Sequence, residues 1–123
     1  MDHASFQDWL NRYIDAWRSG DPAAIGDLFT EDATYSYGPF REDVIGRDAI
    51  VTSWFEDPDA PGSWSAEYHP VVVEGDTAIA NGQSRYLHPD GSPRTEYDNI
   101  FLIRLDDDGR CFEFREWFVE RPA

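Results

Sequence analysis

Thr95–Leu105 (TEYDNIFLIRL), Asp106-Asp107-Asp108-Gly109 and Arg110–Glu120 (RCFEFREWFVE) decide the architecture. Two runs rich in aromatic and β-branched residues flank a polar cluster ending in glycine, the pattern of an antiparallel hairpin. Side chains alternate across a strand, so Phe112, Phe114, Glu116 and Phe118 share one face, and Glu113, Arg115, Trp117 and Val119 the other. The phenylalanine face is predicted to look inward. In the partner strand Tyr97, Asn99, Phe101 and Ile103 share a face. If the turn pairs Leu105 with Arg110, Asn99 lies opposite Glu116.

Two further strands precede this hairpin. Trp64–Val73 and Ala78–Leu87 flank the tight turn Glu74-Gly75-Asp76-Thr77, and His88-Pro89-Asp90-Gly91-Ser92-Pro93 forms the next loop. Carrying the count across that loop turns Ile79, Asn81, Gln83 and Arg85 inward, although a slip of one residue would reverse them. Upstream, Phe6, Trp9, Leu10, Tyr13, Ile14 and Trp17 form one apolar stripe at helical spacing. Ser5 with Asp8 reads as a capping box, and Gly20 as the stop. Asp21-Pro22 opens a short second helix that carries Ala24, Ile25, Leu28 and Phe29. Thr30–Asp32 reads as a turn into the strand Ala33–Tyr37. A loose stretch follows to Gly46, and Arg47–Phe55 reads as a third helix with Ile50, Val51, Trp54 and Phe55 inward. Asp57–Gly62 is a loop by composition. Helices followed by a strand meander predict an α+β fold with the helices on one face of the sheet.

Composition narrows the function. The chain has 123 residues, 41% of them hydrophobic and 15% aromatic, enough for one domain spanning 1–123 with its own core. Twenty-five acids face ten bases, a net charge of −15, which argues against nucleic acid and anionic membranes as partners. All ten bases are arginine, so Schiff-base and P-loop lysine chemistry is excluded. Cys111 is the single cysteine, which rules out an internal disulfide. His3, His69 and His88 lack metal-ligand spacing, and neither a metal nor a cofactor is expected. No apolar run approaches the ~18 residues of a membrane span. The opening residues lack the order of a signal peptide, so a cytoplasmic location is expected.

Four stretches carry a family resemblance: Arg12-Tyr13-Ile14 ahead of Ser19-Gly20-Asp21; Leu28-Phe29-Thr30-Glu31-Asp32-Ala33-Thr34; Gly46-Arg47-Asp48-Ala49-Ile50; and Asp107-Asp108-Gly109-Arg110 followed by Arg115-Glu116-Trp117. With the element order, they resemble the NTF2-like cone and, within it, the SnoaL-like domains. The resemblance implies three N-terminal helices packed in a strongly curved antiparallel sheet. It also implies a homodimer through the outer sheet face, where Ile100, Leu102, Trp117 and Val119 are apolar. The superfamily spans isomerases, dehydratases, cyclases, epoxide hydrolases and non-enzymes, so it says more about fold than function. Against the steroid isomerases, Tyr13 matches the helix-one tyrosine, Tyr37 stands where the base would be, and Phe101 stands where the oxyanion acid would be. SnoaL-like enzymes can carry a working histidine on the strand of His69. Here Pro70 follows it, implying an edge or a bulge, so solvent is its expected surroundings, with a ligand-binding place as the alternative.

The polar row Gln83–Asn99–Glu116 among phenylalanines is the predicted floor of a cavity. An apolar site raises a carboxyl pKa toward neutrality, where it can act as general acid or base. Glu116, Tyr13 and Asn99 are therefore the candidate catalytic residues. Tyr35, Tyr37, Trp54, Gln83, Arg85, Tyr97, Phe101, Phe114, Phe118 and His69 are candidate ligand-binding residues. The alternative for Glu116 is a satisfied structural network with Arg85 or Asn99. Three functions follow: a cofactor-independent isomerase, cyclase or dehydratase acting on a small hydrophobic, oxygen-bearing ligand; a non-catalytic ligand-binding or dimerisation module; or an epoxide hydrolase-type reaction using Arg85 with Glu116.

Overall fold

The computed structural model describes residues 1–56 and 62–122. The loop read at Asp57–Gly62 therefore lies, but for Gly62, outside the described residues. The elements are α1 (His3–Ser19), α2 (Pro22–Gly26), β1 (Phe29–Ser36), β2 (Val44–Ile45), α3 (Arg47–Phe55), β3 (Trp64–Glu74), β4 (Thr77–Leu87), β5 (Pro93–Leu105) and β6 (Cys111–Glu120). One curved sheet runs in the order β2-β1-β6-β5-β4-β3. It is mixed, not purely antiparallel: β1 lies parallel to β6, with Tyr35 beside Phe114. The helices also differ from three N-terminal helices, because α2 has five residues and α3 follows two strands. No described helix is long and apolar enough to cross a membrane.

The cap of α1 sits one turn earlier than the sequence suggests. The Asp2 carboxylate accepts from the Ser5 backbone N–H at 2.8 Å, and Ser5 Oγ accepts from the Asp2 N–H at 3.0 Å. Ser5 is thus the far half of a box that Asp2 opens. Gly20 ends the helix in the left-handed region, φ 64°. The predicted stripe is the buried face: Phe6, Trp9, Leu10 and Tyr13 pack into the core with Phe29, Ile103 and Phe114. Thr30–Asp32, read as a turn, instead belongs to β1, where the pairing with β6 is irregular between Phe29 and Thr34. In α3 Ile50 is buried, whereas Phe55, expected inward, is exposed.

Register decides what faces the interior. In the last hairpin Asp106 pairs with Arg110, through Asp106 N–H donating to Arg110 O at 2.8 Å. Leu105 therefore meets Cys111, and a bulge follows at Phe112 before Arg104 meets Glu113. The two one-residue offsets add, so Glu116 lies opposite Phe101 and Asn99 opposite Phe118. Because the total slip is even, Phe114, Glu116 and Phe118 keep their inward face, while Cys111 rather than Phe112 takes the buried place beside Leu105. Across the 88–92 loop the error is odd. Gly82 lies opposite Asn99 and Ser84 opposite Tyr97, so Ala78, Ala80, Gly82 and Ser84 face inward. Ile79, Asn81, Gln83 and Arg85 lie on the outer face, one residue away from the expectation. Small residues fit this inner face because Tyr68 of β3 lies across it; a Cβ at Gly82 would overlap the Tyr68 ring and the Glu67 carbonyl.

Candidate functional site

At the end of the sheet where β1 and β6 finish and β5 begins, a cavity of about 1270 Å³ opens between the inner sheet face, the end of α1 and α3. Its deep wall is aromatic. Tyr13 and Tyr35 both stack on Phe114, with ring centroids 5.4 and 4.3 Å away. Tyr68 packs on Phe101 at 4.6 Å, and Trp54 meets Tyr13 edge-on at 5.3 Å. Nearer the mouth Tyr97 stands edge-on to Phe118 and Tyr86. A smaller hollow of about 630 Å³ lies by Ser5, Asp8 and Asp76, but the acids Asp8, Asp76 and Asp107 there are exposed and carry no comparable chemistry.

Polar groups on the wall form one short chain. Ser84 Oγ donates to Asn99 Oδ1 at 3.1 Å, which leaves the Asn99 amide nitrogen to donate to Glu116 Oε1 at 3.1 Å. Ser84 and Asn99 are buried. Glu116 lines the cavity, and its second carboxyl oxygen has no hydrogen-bond partner among the described residues. Burial pushes the Glu116 carboxyl up to about 7, against the opposing pull of the Asn99 hydrogen bond and the Arg41 charge. The group is thus divided between acid and base near neutral pH, with one oxygen fixed and the other facing the cavity.

The tyrosines differ in what they can offer. Tyr13 and Tyr35 hydroxyls lie 2.9 Å apart, so one donates to the other and the pair keeps one free proton. Burial, with Glu116 nearby, raises both well above the ordinary phenol range, so they remain neutral donors. Burial also raises Tyr68. Tyr37 is committed: Ser53 Oγ donates to Ile50 O at 2.8 Å, so at 2.8 Å from Ser53 the Tyr37 hydroxyl is the donor.

The structure therefore gathers Tyr13, Tyr35, Tyr37, Trp54, Tyr97, Asn99, Phe101, Glu116 and Phe118 around one space. Four candidates are placed elsewhere. Phe114 is fully buried behind the two tyrosines and backs the wall without lining it. Gln83 and Arg85 are bonded to each other on the outer face at 3.0 Å, and Arg85 also pairs with Glu96. That removes the arginine from the epoxide hydrolase-type reading. His69 is exposed on β3, an edge strand that bulges after Pro70. Sequence reasoning missed Tyr68, Ser84, Arg41 and Arg94. The first two follow from the correct parity of β4, signalled by its run of small residues at every second position. Arg41 lies outside any periodic element, and Arg94 at the start of a strand whose upstream register was uncertain.

A family profile described as SnoaL-like domain matches residues 10–114. The chain belongs to the SnoaL-like domain family. It resembles the epoxide hydrolase/cyclase-like enzyme SalBIII, described in pyran ring formation in the polyether salinomycin, with a TM-score of 0.73 and 17% identity over 96% of this chain and 93% of that one. An NTF-2 like protein of unknown function from Burkholderia xenovorans matches with a TM-score of 0.73 and 17% identity over 98% and 87% of the two chains. A putative ketosteroid isomerase from Kribbella flavida does so at 0.73 and 16% over 99% and 83%. At these identities the likeness establishes the NTF2-like fold alone. No curated protein matches the sequence.

Proposed function

We propose that this SnoaL-like domain binds a small, mainly apolar ligand bearing one or two oxygens and moves a proton on it without a cofactor, in an isomerisation, cyclisation or dehydration. One observation carries the reading: a single carboxyl with its pKa near 7, one oxygen held by Asn99 and the other open to an aromatic cavity. Glu116 is the acid or base. The free proton of the Tyr13–Tyr35 pair donates to the oxygen on which charge develops, and Asn99 positions Glu116. The isomerase- and cyclase-like neighbours in fold support the class of reaction and leave the substrate open.

The test needs no substrate identity. Cyclic ketones soaked in deuterated buffer exchange their α-protons when a base is positioned over them, which NMR follows directly. The protein should accelerate exchange for at least one ring size, and Glu116→Gln should lose about 10²–10⁴-fold of that acceleration. Exchange unchanged by Glu116→Gln would sink the catalytic role and leave a binding module. A second copy of the chain on the outer sheet face belongs to the same reading, supported by exposed Ile100 and Val119 there. Light scattering that returned a monomer at assay concentration would remove it.

A further inference from the structure

Two cations line the cavity, Arg41 and Arg94, both exposed at its mouth. Of the ten arginines, Arg18, Arg85, Arg104 and Arg121 are ion-paired among the described residues. Neither Arg41 nor Arg94 has a carboxylate within ion-pair distance among the described residues. Among the described residues two carboxylates share the mouth with them: Glu120, which accepts from Thr95 Oγ1 at 2.8 Å, and Glu56 on the α3 side. The Arg94 guanidinium lies 5.6 Å from the centre of the Tyr86 ring. Cation–π attraction to a ring engages the guanidinium face and leaves its N–H donors available to an anion. Arg41 is close enough to the cavity floor for its charge to oppose the rise in the Glu116 pKa. Beside it Phe40 is fully exposed, an apolar side chain at the same mouth loop.

Resting on the ligand-cavity reading above, we infer that the ligand is amphipathic: an aromatic or cyclic body among the rings, and an anionic end, a carboxylate, held by Arg41 and Arg94 at the mouth. The opposite charge fits worse. An ammonium group drawn to Glu56 or Glu120 at the mouth meets the like charge of Arg41 and Arg94, and at the floor the Glu116 carboxyl, whose charged form burial disfavours.

Three probes of one shape test this: 2-naphthoate, its methyl ester and 2-naphthylmethylamine. Binding is read by quenching of the cavity tryptophans Trp17 and Trp54 and by the thermal midpoint. The acid should bind about tenfold more tightly than the ester, equivalent to about 1.4 kcal/mol, and the preference should shrink as salt rises. In Arg41→Gln/Arg94→Gln the acid should fall to the level of the ester, with the ester's affinity unchanged. Both side chains are exposed, so the double variant keeps its core, and its melting curve without ligand checks that. Equal binding of acid and ester, tighter binding of the amine, or a preference that survives the double variant would each overturn the inference while leaving the cavity reading standing. No binding by any of the three would overturn both.

Discussion

The two faces of the β4–β5–β6 sheet carry similar side chains in opposite states. Outside, carboxylates meet cations or amides at the solvent boundary: half-buried Glu96 lies between Arg85 and Arg121 at 3.4 and 3.3 Å, half-buried Glu113 faces Arg104 at 3.6 Å, and exposed Asp98 accepts from Asn81. Inside, Glu116 has one amide donor and no arginine within ion-pair distance. The chemical groups are the same; the difference is that Glu116 is desolvated among rings with no cation within ion-pair distance among the described residues, whereas each outer acid has a cation or amide beside it. In water a carboxylate is solvated and its partner adds little. Among rings the charged form loses its hydration, one neutral hydrogen bond does not restore it, and the proton stays on to about pH 7.

The largest consequence is a stability that depends on pH through one residue. The folded-state pKa of Glu116 is raised, from 4.5 to about 7, so the folded protein holds a proton that the unfolded chain releases. Its contribution is therefore fully present below pH 4.5 and is lost as pH rises through 7. The size is on the order of 3 kcal/mol, from a rise of the carboxyl from 4.5 to about 7. Glu116→Gln removes the titration. Urea unfolding of both proteins from pH 4 to pH 8 should show the two curves diverging, with the variant gaining on the wild type as pH rises. Parallel curves would mean that Glu116 is as solvated as the outer acids, and the contrast between the faces would vanish.

The same contrast explains which parts of the molecule could be read from the residues. Helix α1 was legible because six apolar residues at helical spacing leave one choice of buried face. The inner face of β6 was legible despite a wrong register, because two offsets of one residue cancel in parity. The first came from Asp106, whose carboxylate accepts the N–H groups of Asp108 and Arg110 and lengthens the turn; the second came from the bulge at Phe112. The facing of strand β4 comes out one residue off because the count is carried across the 88–92 loop, where the pairing with β5 shifts between Tyr86 and Leu87. Ile79 looks like a core residue and Gly82 does not, yet the space opposite is already filled by Tyr68 and Phe101. Facing on that strand is a property of its neighbours. Of the site, Glu116, Asn99 and the tyrosines came from strand and helix faces. Arg41 and Arg94 sit at the mouth, and only assembly brings them to the cavity.

The smallest effect belongs to the outer face and sharpens the contrast from the other side. Glu113 is a fair counterpart to Glu116: the same residue type, on the same strand, three positions away and facing out. The pair is partly exposed, Arg104 to 43% and Glu113 to 28%, so water still reaches and weakens it. Glu113→Gln should therefore cost less than about 1 kcal/mol. It should also preserve the wild-type fall in stability between pH 4.5 and 7, because Glu116 still supplies it. Equilibrium unfolding at low and high salt separates the terms. The small Glu113 contribution should shrink in 1 M salt, where the screening length drops to about 3 Å, while the Glu116 dependence, arising from desolvation and not from a surface pair, should persist. If Glu113→Gln instead flattened the pH profile, the titrating group would lie on the outer face and the cavity would lose its acid.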